Sequence, residues 1–228
     1  MSIWEDIETE KFWRMANLGH EYSWECKGNS RKKLGHILDG HGIILDDIFC
    51  SSDTKKAANI RLHSVISSIL GELDDDAQKQ LCFWFIKDWG GIRRGNPKTI
   101  MSWLERLSNF EEKNVLEFIK TQGYSRISSW SKILSFIAPE KYAIYDSRTA
   151  FASNFILNKM GNDRRFYMPT GRNKRIVPLL GKLKKDDNNY IGYLEYLDLL
   201  KTYPSKENEL IEAEMLLFSN APYLAEKK

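Results

Sequence analysis

Cysteine is scarce in this chain: Cys26, Cys50 and Cys82 are the three among 228 residues. An odd count at wide spacing argues against a disulfide framework, and no C-x-x-C pair is present. A zinc ribbon or a four-cysteine iron–sulfur cluster held by one chain is thereby excluded, and a reducing compartment is expected. Long apolar runs are absent too. Nothing approaches the roughly 20 residues that cross a bilayer. The opening "MSIWEDIETEKFW" is acidic and lacks the basic start and apolar core of a secretory signal. These absences together predict a soluble, cytoplasmic protein. His20, His36, His41 and His63 form no ligand pattern, and "GHILDGHG" reads as a turn-rich loop, so neither a metal nor a cofactor is expected.

Strong net charge is lacking as well, since 34 Lys and Arg against 31 Asp and Glu leave +3. The distribution is more informative than the total. Residues 159 to 185 carry nine basic side chains (Lys159, Arg164, Arg165, Arg172, Lys174, Arg175, Lys182, Lys184 and Lys185) and one acid, Asp163. That is +8 locally, so the remainder of the chain carries −5. The same segment interleaves Phe166 and Tyr167 with the cations. Cations bind a phosphate backbone and aromatic rings stack on bases, so a polyanionic nucleic-acid partner is predicted.

Apolar residues recur at three- and four-residue spacing through most of the chain, which predicts a mainly helical fold. Helices are expected over about 3 to 18, from Thr54 to Leu70 after the cap "SSD", and over "AQKQLCFWFIKDW" after Asp74 to Asp76, stopping at Gly90 and Gly91. Further helices are expected over "PKTIMSWLERLSNF" with Pro97 in its first turn, over "EEKNVLEFIKTQ", over "SSWSKILSFIA" up to Pro139, and near 147 to 158, 191 to 203 and 205 to 218. The stretch "CKGNSRKKLGHILDGHG" reads as a Gly-rich basic loop. Only about five residues, "GYSRI", join the helices on either side of them, so a tight helical hairpin is predicted there. Its second helix would turn backbone N–H groups outward, where a phosphate can sit.

That second helix carries Lys132. On a helical wheel Trp130, Ile133, Leu134 and Ile137 form the apolar stripe, with Ser131, Lys132 and Ser135 opposite. Lys132 is then either a solvated lysine or a functional amine. After Pro139 and the extended "KYAIY", Asp146 stands before "SRTAFASNF" as a favoured N-cap. Fourteen residues carry the chain from one helix to the start of the next, so the amine and the capping carboxylate are expected to face each other across a groove.

This arrangement resembles the helix-hairpin-helix DNA glycosylase superfamily, and within it the lysine-using 8-oxoguanine glycosylase-like branch. Lys132 in "SSWSKIL" matches that family's nucleophile, and Asp146 in "YAIYDSRTA" matches its essential aspartate. The match covers about residues 110 to 155. Ser128 and Trp130 stand where the family's hairpin has glycines, and Ser128 is placed among the expected DNA contacts. The resemblance implies an all-α protein of two helical lobes around a cleft. Residues 54 to 138 would form one lobe, and 1 to 53 with 139 to 228 the other. It further implies a monomeric DNA-repair enzyme that excises a damaged or modified base and has AP lyase activity.

A glycosylase must flip its nucleotide out of the stack and hold the base between apolar faces. Phe136, one turn after Lys132, and Trp89 are the candidates for that pocket. Arg93, Arg94 and Lys98 of "DWGGIRRGNPK" are candidate phosphate contacts, together with Arg164, Arg165, Arg172, Lys174 and Arg175. A second class of function stays open: a non-catalytic helix-hairpin-helix DNA-binding or regulatory protein would keep the basic surface without needing Lys132 and Asp146 together.

Overall fold

The computed structural model describes residue 4 and residues 7–92, 96–107, 110–171, 173–179, 190–205 and 209–227. It is all-α. The helices are α1 (Thr9–Ala16), α2 (Gly28–Ile37), α3 (Leu45–Ile48), α4 (Lys55–Ile69), α5 (Asp75–Trp84), α6 (Pro97–Leu107), α7 (Glu112–Gln122), α8 (Ile127–Ile137), α9 (Ser147–Lys159), α10 (Tyr193–Lys201) and α11 (Glu209–Leu224). A π-helical turn, Phe85–Trp89, continues from α5. Among the described residues no strand occurs, and an isolated parallel bridge joins Phe166 to Ile191. No helix of the described residues is long and apolar enough to cross a membrane.

Helix starts follow their caps. Thr54 Oγ1 accepts from the Ala57 amide at 3.1 Å, and Asp74 Oδ1 accepts from the Ala77 amide at 2.8 Å. The segment expected to be a basic loop instead contains α2. Its glycines weaken the helical signal, and partners distant in sequence supply what propensity does not. Trp84 Nε1 donates to the Ser30 carbonyl at 2.8 Å, Ser30 Oγ donates to the Asp88 carbonyl at 2.9 Å, and Lys33 pairs with Asp88.

The chain divides into two compact units, Met1–Tyr22, Gly123–Ser128 and Glu140–Lys228 in the first, Ser23–Gln122 and Ser129–Pro139 in the second. The second unit centres on an aromatic cluster. His63 stacks on Phe136 at 3.9 Å and 7°, and Phe85 stacks on Phe136 at 4.2 Å and 3°. Two near-parallel rings so close to one ring must take opposite faces, so Phe136 is sandwiched. Trp89 meets Phe136 edge-on at 5.0 Å, and its Nε1 donates to Asn59 Oδ1 at 3.1 Å. Across the turn 123 to 126, Phe118 of α7 meets Trp130 of α8 edge-to-face at 5.8 Å.

The first unit is organised around α9, whose buried residues run from Ser147 through Asn154 to Leu157 on more than one face. Asn154 grips the backbone of Phe166 at both groups: its Nδ2 donates to the carbonyl at 2.9 Å and its Oδ1 accepts from the amide at 2.7 Å. Ahead of α9 the chain is buried from Tyr142 to Tyr145, outside any helix, and among the described residues no strand pairs with it. Tyrosines do so instead. Tyr193 Oη donates to the Ala143 carbonyl at 2.6 Å, and Tyr196 Oη donates to the Ile144 carbonyl at 2.9 Å. Tyr145 in turn donates to the Tyr167 carbonyl at 2.7 Å.

His63 supplies a pH test of the second unit. Its Nδ1 lies 2.8 Å from the Asn59 carbonyl, its Nε2 is buried with no hydrogen-bond partner, and burial pulls its pKa down to about 4. Between that value and the unfolded value near 6.5, the unfolded chain binds a proton that the folded chain refuses. Stability is therefore full above pH 6.5 and falls as pH drops towards 4, by about 3 kcal/mol at ~1.4 kcal/mol per pKa unit. Urea unfolding at pH 7 and pH 4.5 is expected to show this loss in wild type and a loss smaller by about 2 kcal/mol in His63→Phe. Equal losses in the two proteins would show that His63 is not the group responsible.

Candidate active site

Lys132 sits on α8 with 6% of its surface exposed. The polar face opposite the apolar stripe is buried too, since Ser131 is 0% exposed and Ser135 3%. The helical wheel identifies one packed stripe correctly; the opposite side is covered as well, which a single-helix pattern cannot reveal. Ser135 Oγ returns to the Lys132 carbonyl at 2.9 Å, so the polar residue one turn on is satisfied inside the helix. The aliphatic stem of Lys132 passes against Gly90, at the end of the π-helical turn.

Asp146 is the N-cap of α9, and the cap is complete. Its Oδ1 accepts from the Arg148 amide at 2.8 Å and the Thr149 amide at 3.1 Å, while Thr149 Oγ1 accepts from the Asp146 amide at 3.0 Å. Both capping amides converge on Oδ1, so Oδ2 takes no part in the cap. The carboxylate is half-buried and stands at the N-terminal end of a 13-residue helix, where the free amides converge. Lys132 belongs to the second unit and Asp146 to the first.

Three groups near Asp146 were not singled out from the sequence. Glu214 on α11 is a carboxylate with 4% exposure, and Tyr22 and Tyr196 both feel its charge and that of Asp146. Burial first, then Glu214, holds the Tyr196 phenol well above its usual pKa. Tyr22 is raised by burial, Glu214 and Asp146, against an opposing contribution from Arg148. Both phenols therefore stay neutral and able to donate at any physiological pH. A signal for Glu214 existed: it lies four residues after Leu210 and three before Leu217, on a buried face. Arg148 places its guanidinium 4.2 Å over the Phe218 ring, and Tyr22 lies 5.9 Å from that ring.

The remaining expected residues fall into distinct surroundings. Phe136 and Trp89, read as base-pocket candidates, lie inside the buried aromatic cluster at 0% and 4% exposure. Ser128 is half-exposed in the first turn of α8, and Lys98 is exposed in the first turn of α6. Arg165 is tied down locally, donating to the Asn162 and Arg164 carbonyls, both at 2.6 Å, and to Asn158 Oδ1 at 2.9 Å. Arg175 pairs with Glu226 at 3.0 Å and lies over the Tyr223 ring. Arg164 stands 6.0 Å over the ring of Trp4, and Lys174 is exposed. Arg93, Arg94 and Arg172, with Lys182, Lys184 and Lys185 of the basic segment, lie outside the described residues. Among the described residues no cluster of His, Cys, Asp and Glu could hold a metal ion.

Comparison with protein-family models, curated proteins and solved structures finds no match.

The cap can be separated from any other role of Asp146. Asp146→Ala removes the acceptor of two amides and is expected to cost about 1 kcal/mol of stability, whereas Asp146→Asn keeps the cap and is expected to change stability by a few tenths. Chemical denaturation of the two variants checks this. Equal destabilisation would mean that the negative charge, and not the capping geometry, stabilises α9.

Proposed function

We propose that this protein is a DNA glycosylase with AP lyase activity, in which Lys132 attacks the deoxyribose and Asp146 stabilises the charge that develops there. The observation that carries this reading is the withdrawal of Lys132 from solvent on α8, joined with an Asp146 whose cap leaves one carboxylate oxygen uncommitted. An amine carried on a buried, packed helix is held in place before a substrate arrives, which a nucleophile requires. The sequence resemblance to the lysine-using glycosylases assigns the same two residues.

Breaking the N-glycosidic bond builds positive charge at C1′, and a fixed carboxylate lowers the energy of that charge. The Lys132 amine forms a bond to C1′ as the base departs with the glycosidic electron pair. The proton released from the new C1′–N bond goes to the departing base. Ring opening then gives a Schiff base, and loss of a C2′ proton with rupture of the C3′–O bond cleaves the strand. In this reading the sandwiched Phe136 and the edge-on Trp89 hold the helix that presents Lys132. The neutral phenols of Tyr193 and Tyr196 hold the segment that presents Asp146.

Borohydride trapping against duplexes carrying different modified bases or an abasic site tests the chemistry. Wild type is expected to give a covalent adduct on at least one of them. Lys132→Gln is expected to abolish the adduct while leaving DNA affinity nearly unchanged, and Asp146→Asn to slow base release by about 10² to 10³. Base release without strand cutting by Lys132→Gln would make the enzyme monofunctional, with water as nucleophile. Wild-type behaviour of both variants on a processed substrate would refute the assignment. A wild type that binds DNA and yields no adduct on any duplex would favour the non-catalytic alternative.

The exposed cations of the basic segment are expected to contribute the salt dependence. Replacing Lys174 and Arg175 together by Ala is expected to reduce the slope of log K against log salt by up to about two, from ~0.9 per phosphate contact. The Arg175–Glu226 pair makes the smaller part of that change attributable to Arg175. An unchanged slope would place this segment off the DNA.

A further inference from the structure

We infer that Gly90 is a positioning residue for Lys132, and that the π-helical turn before it exists to bring a side-chain-free backbone under the lysine stem. The seating of Lys132 stands on geometry alone; its catalytic consequence rests on the glycosylase reading.

The turn Phe85–Trp89 winds wider than an α-helix, and the Gly90 amide closes it on the Phe85 carbonyl at 3.0 Å, five residues back. The Ile92 amide reaches the Ile86 carbonyl at 2.9 Å. Single π turns are frequent at functional positions, and this one ends α5 and redirects the backbone that follows. Here it redirects Gly90 onto α8. A Cβ on Gly90 would lie 2.7 Å from Lys132 Cδ and 2.8 Å from Cε, and 2.6 Å from the Phe85 carbonyl oxygen. Gly90 itself has φ −78° and ψ −9°, a conformation open to any residue, so backbone torsion is not what requires glycine. The requirement is the approach of two chains at a distance no side chain permits.

The elements that carry both partners are fixed by packing. Lys132 leaves a helix whose next turn, Phe136, is clamped between His63 and Phe85. Phe85 also supplies the carbonyl that closes the π turn, so one residue fixes both the floor beneath Lys132 and the helix above it. Trp89, adjacent to Gly90, is pinned by its bond to Asn59 Oδ1 at 3.1 Å. With the last two stem carbons laid on Gly90, the position of Nζ is set by packing before any substrate arrives. Preorganisation of that kind matters, because a displacement of about 1 Å at a reacting atom can lower a rate about 10²-fold.

Four proteins test the seating without any substrate: wild type, Gly90→Ala, Lys132→Ala and the double variant. If a methyl group at position 90 collides with the lysine stem, Gly90→Ala lowers the melting temperature more with Lys132 present than in the Lys132→Ala background, where Cδ and Cε are gone. Equal losses in both backgrounds, or failure of both proteins carrying Gly90→Ala to fold, would mean that Gly90 serves the Phe85 carbonyl and not Lys132, and would overturn the inference. On a duplex that wild type processes, Gly90→Ala is expected to form the trapped adduct at least tenfold more slowly with DNA affinity unchanged. Methylamine added to Lys132→Ala and to the double variant is expected to restore base release equally. Weaker rescue of the double variant would show damage beyond the lysine and count against the inference. Absence of any wild-type adduct would sink the glycosylase reading while the melting comparison still decides the seating.

Discussion

A buried segment, 142 to 145, with no partner strand among the described residues is the constraint from which the first unit follows. The carbonyls of Ala143 and Ile144 have no ladder to enter, and an unsatisfied buried carbonyl costs about 1 to 3 kcal/mol. Two tyrosines of α10, three residues apart, answer them in sequence, so α10 must lie along 142 to 145 with its Tyr193 and Tyr196 face inward. Downstream, the same segment ends in the reciprocal cap of Asp146 and Thr149. Asp146 is therefore held from both directions: by phenols that fix the approach of the chain, and by helix amides that fix its carboxylate. Burial and the nearby Glu214 keep those phenols protonated, so the donors do not titrate away under physiological conditions.

The same logic decides which features were legible in the sequence. Caps and stops are local chemistry: Asp74, Pro97 and Asp146 begin helices where their side chains predict, while α4 is capped by Thr54 and not by the preceding "SSD". The turn after Gln122 is short, as its composition implies, with Gly123 and Arg126 both at positive φ. Failures come from tertiary partners. Helix α2 looks like a loop because Gly28 and Gly35 lower its propensity, while the groups that hold it, Trp84 and Asp88, are more than 50 residues away. Gly90 reads as a stop signal, and nothing local to "DWGGI" announces a lysine 42 positions on. The burial of Lys132 was hidden for the same reason, since a helical wheel records one neighbour and α8 has more.

Charge counting from the sequence overstates the cations available to a polyanion. Nine basic residues in one segment suggest a continuous surface, yet Arg165 directs its guanidinium to carbonyls and an amide of its own neighbourhood. Arg175 shares its charge with Glu226. An arginine with its donors engaged in this way still contributes field, while its directional bonds are already made. Among the described residues of the segment, Lys159 and Lys174 are exposed, and Arg164 is half-exposed over an indole.

The sequence left Lys132 between two readings, a solvated lysine or a functional amine, and burial removes the first. A lysine on a solvated face keeps its ammonium hydrated at no cost to the fold, and 6% exposure is incompatible with that. A buried lysine weakens a core that Leu or Met would complete, and here the surrounding chain is shaped to admit it: a π turn in place of an α turn, and a glycine where a side chain would collide. Such local departures from the most stable arrangement concentrate where chemistry needs them. Glu214, a second ionisable group withdrawn from water, lies within electrostatic reach of the same tyrosines as Asp146. Two withdrawn ionisable side chains, Lys132 and Glu214, thus each cost the fold a desolvation that a hydrophobic residue would not, and mutation can remove them separately.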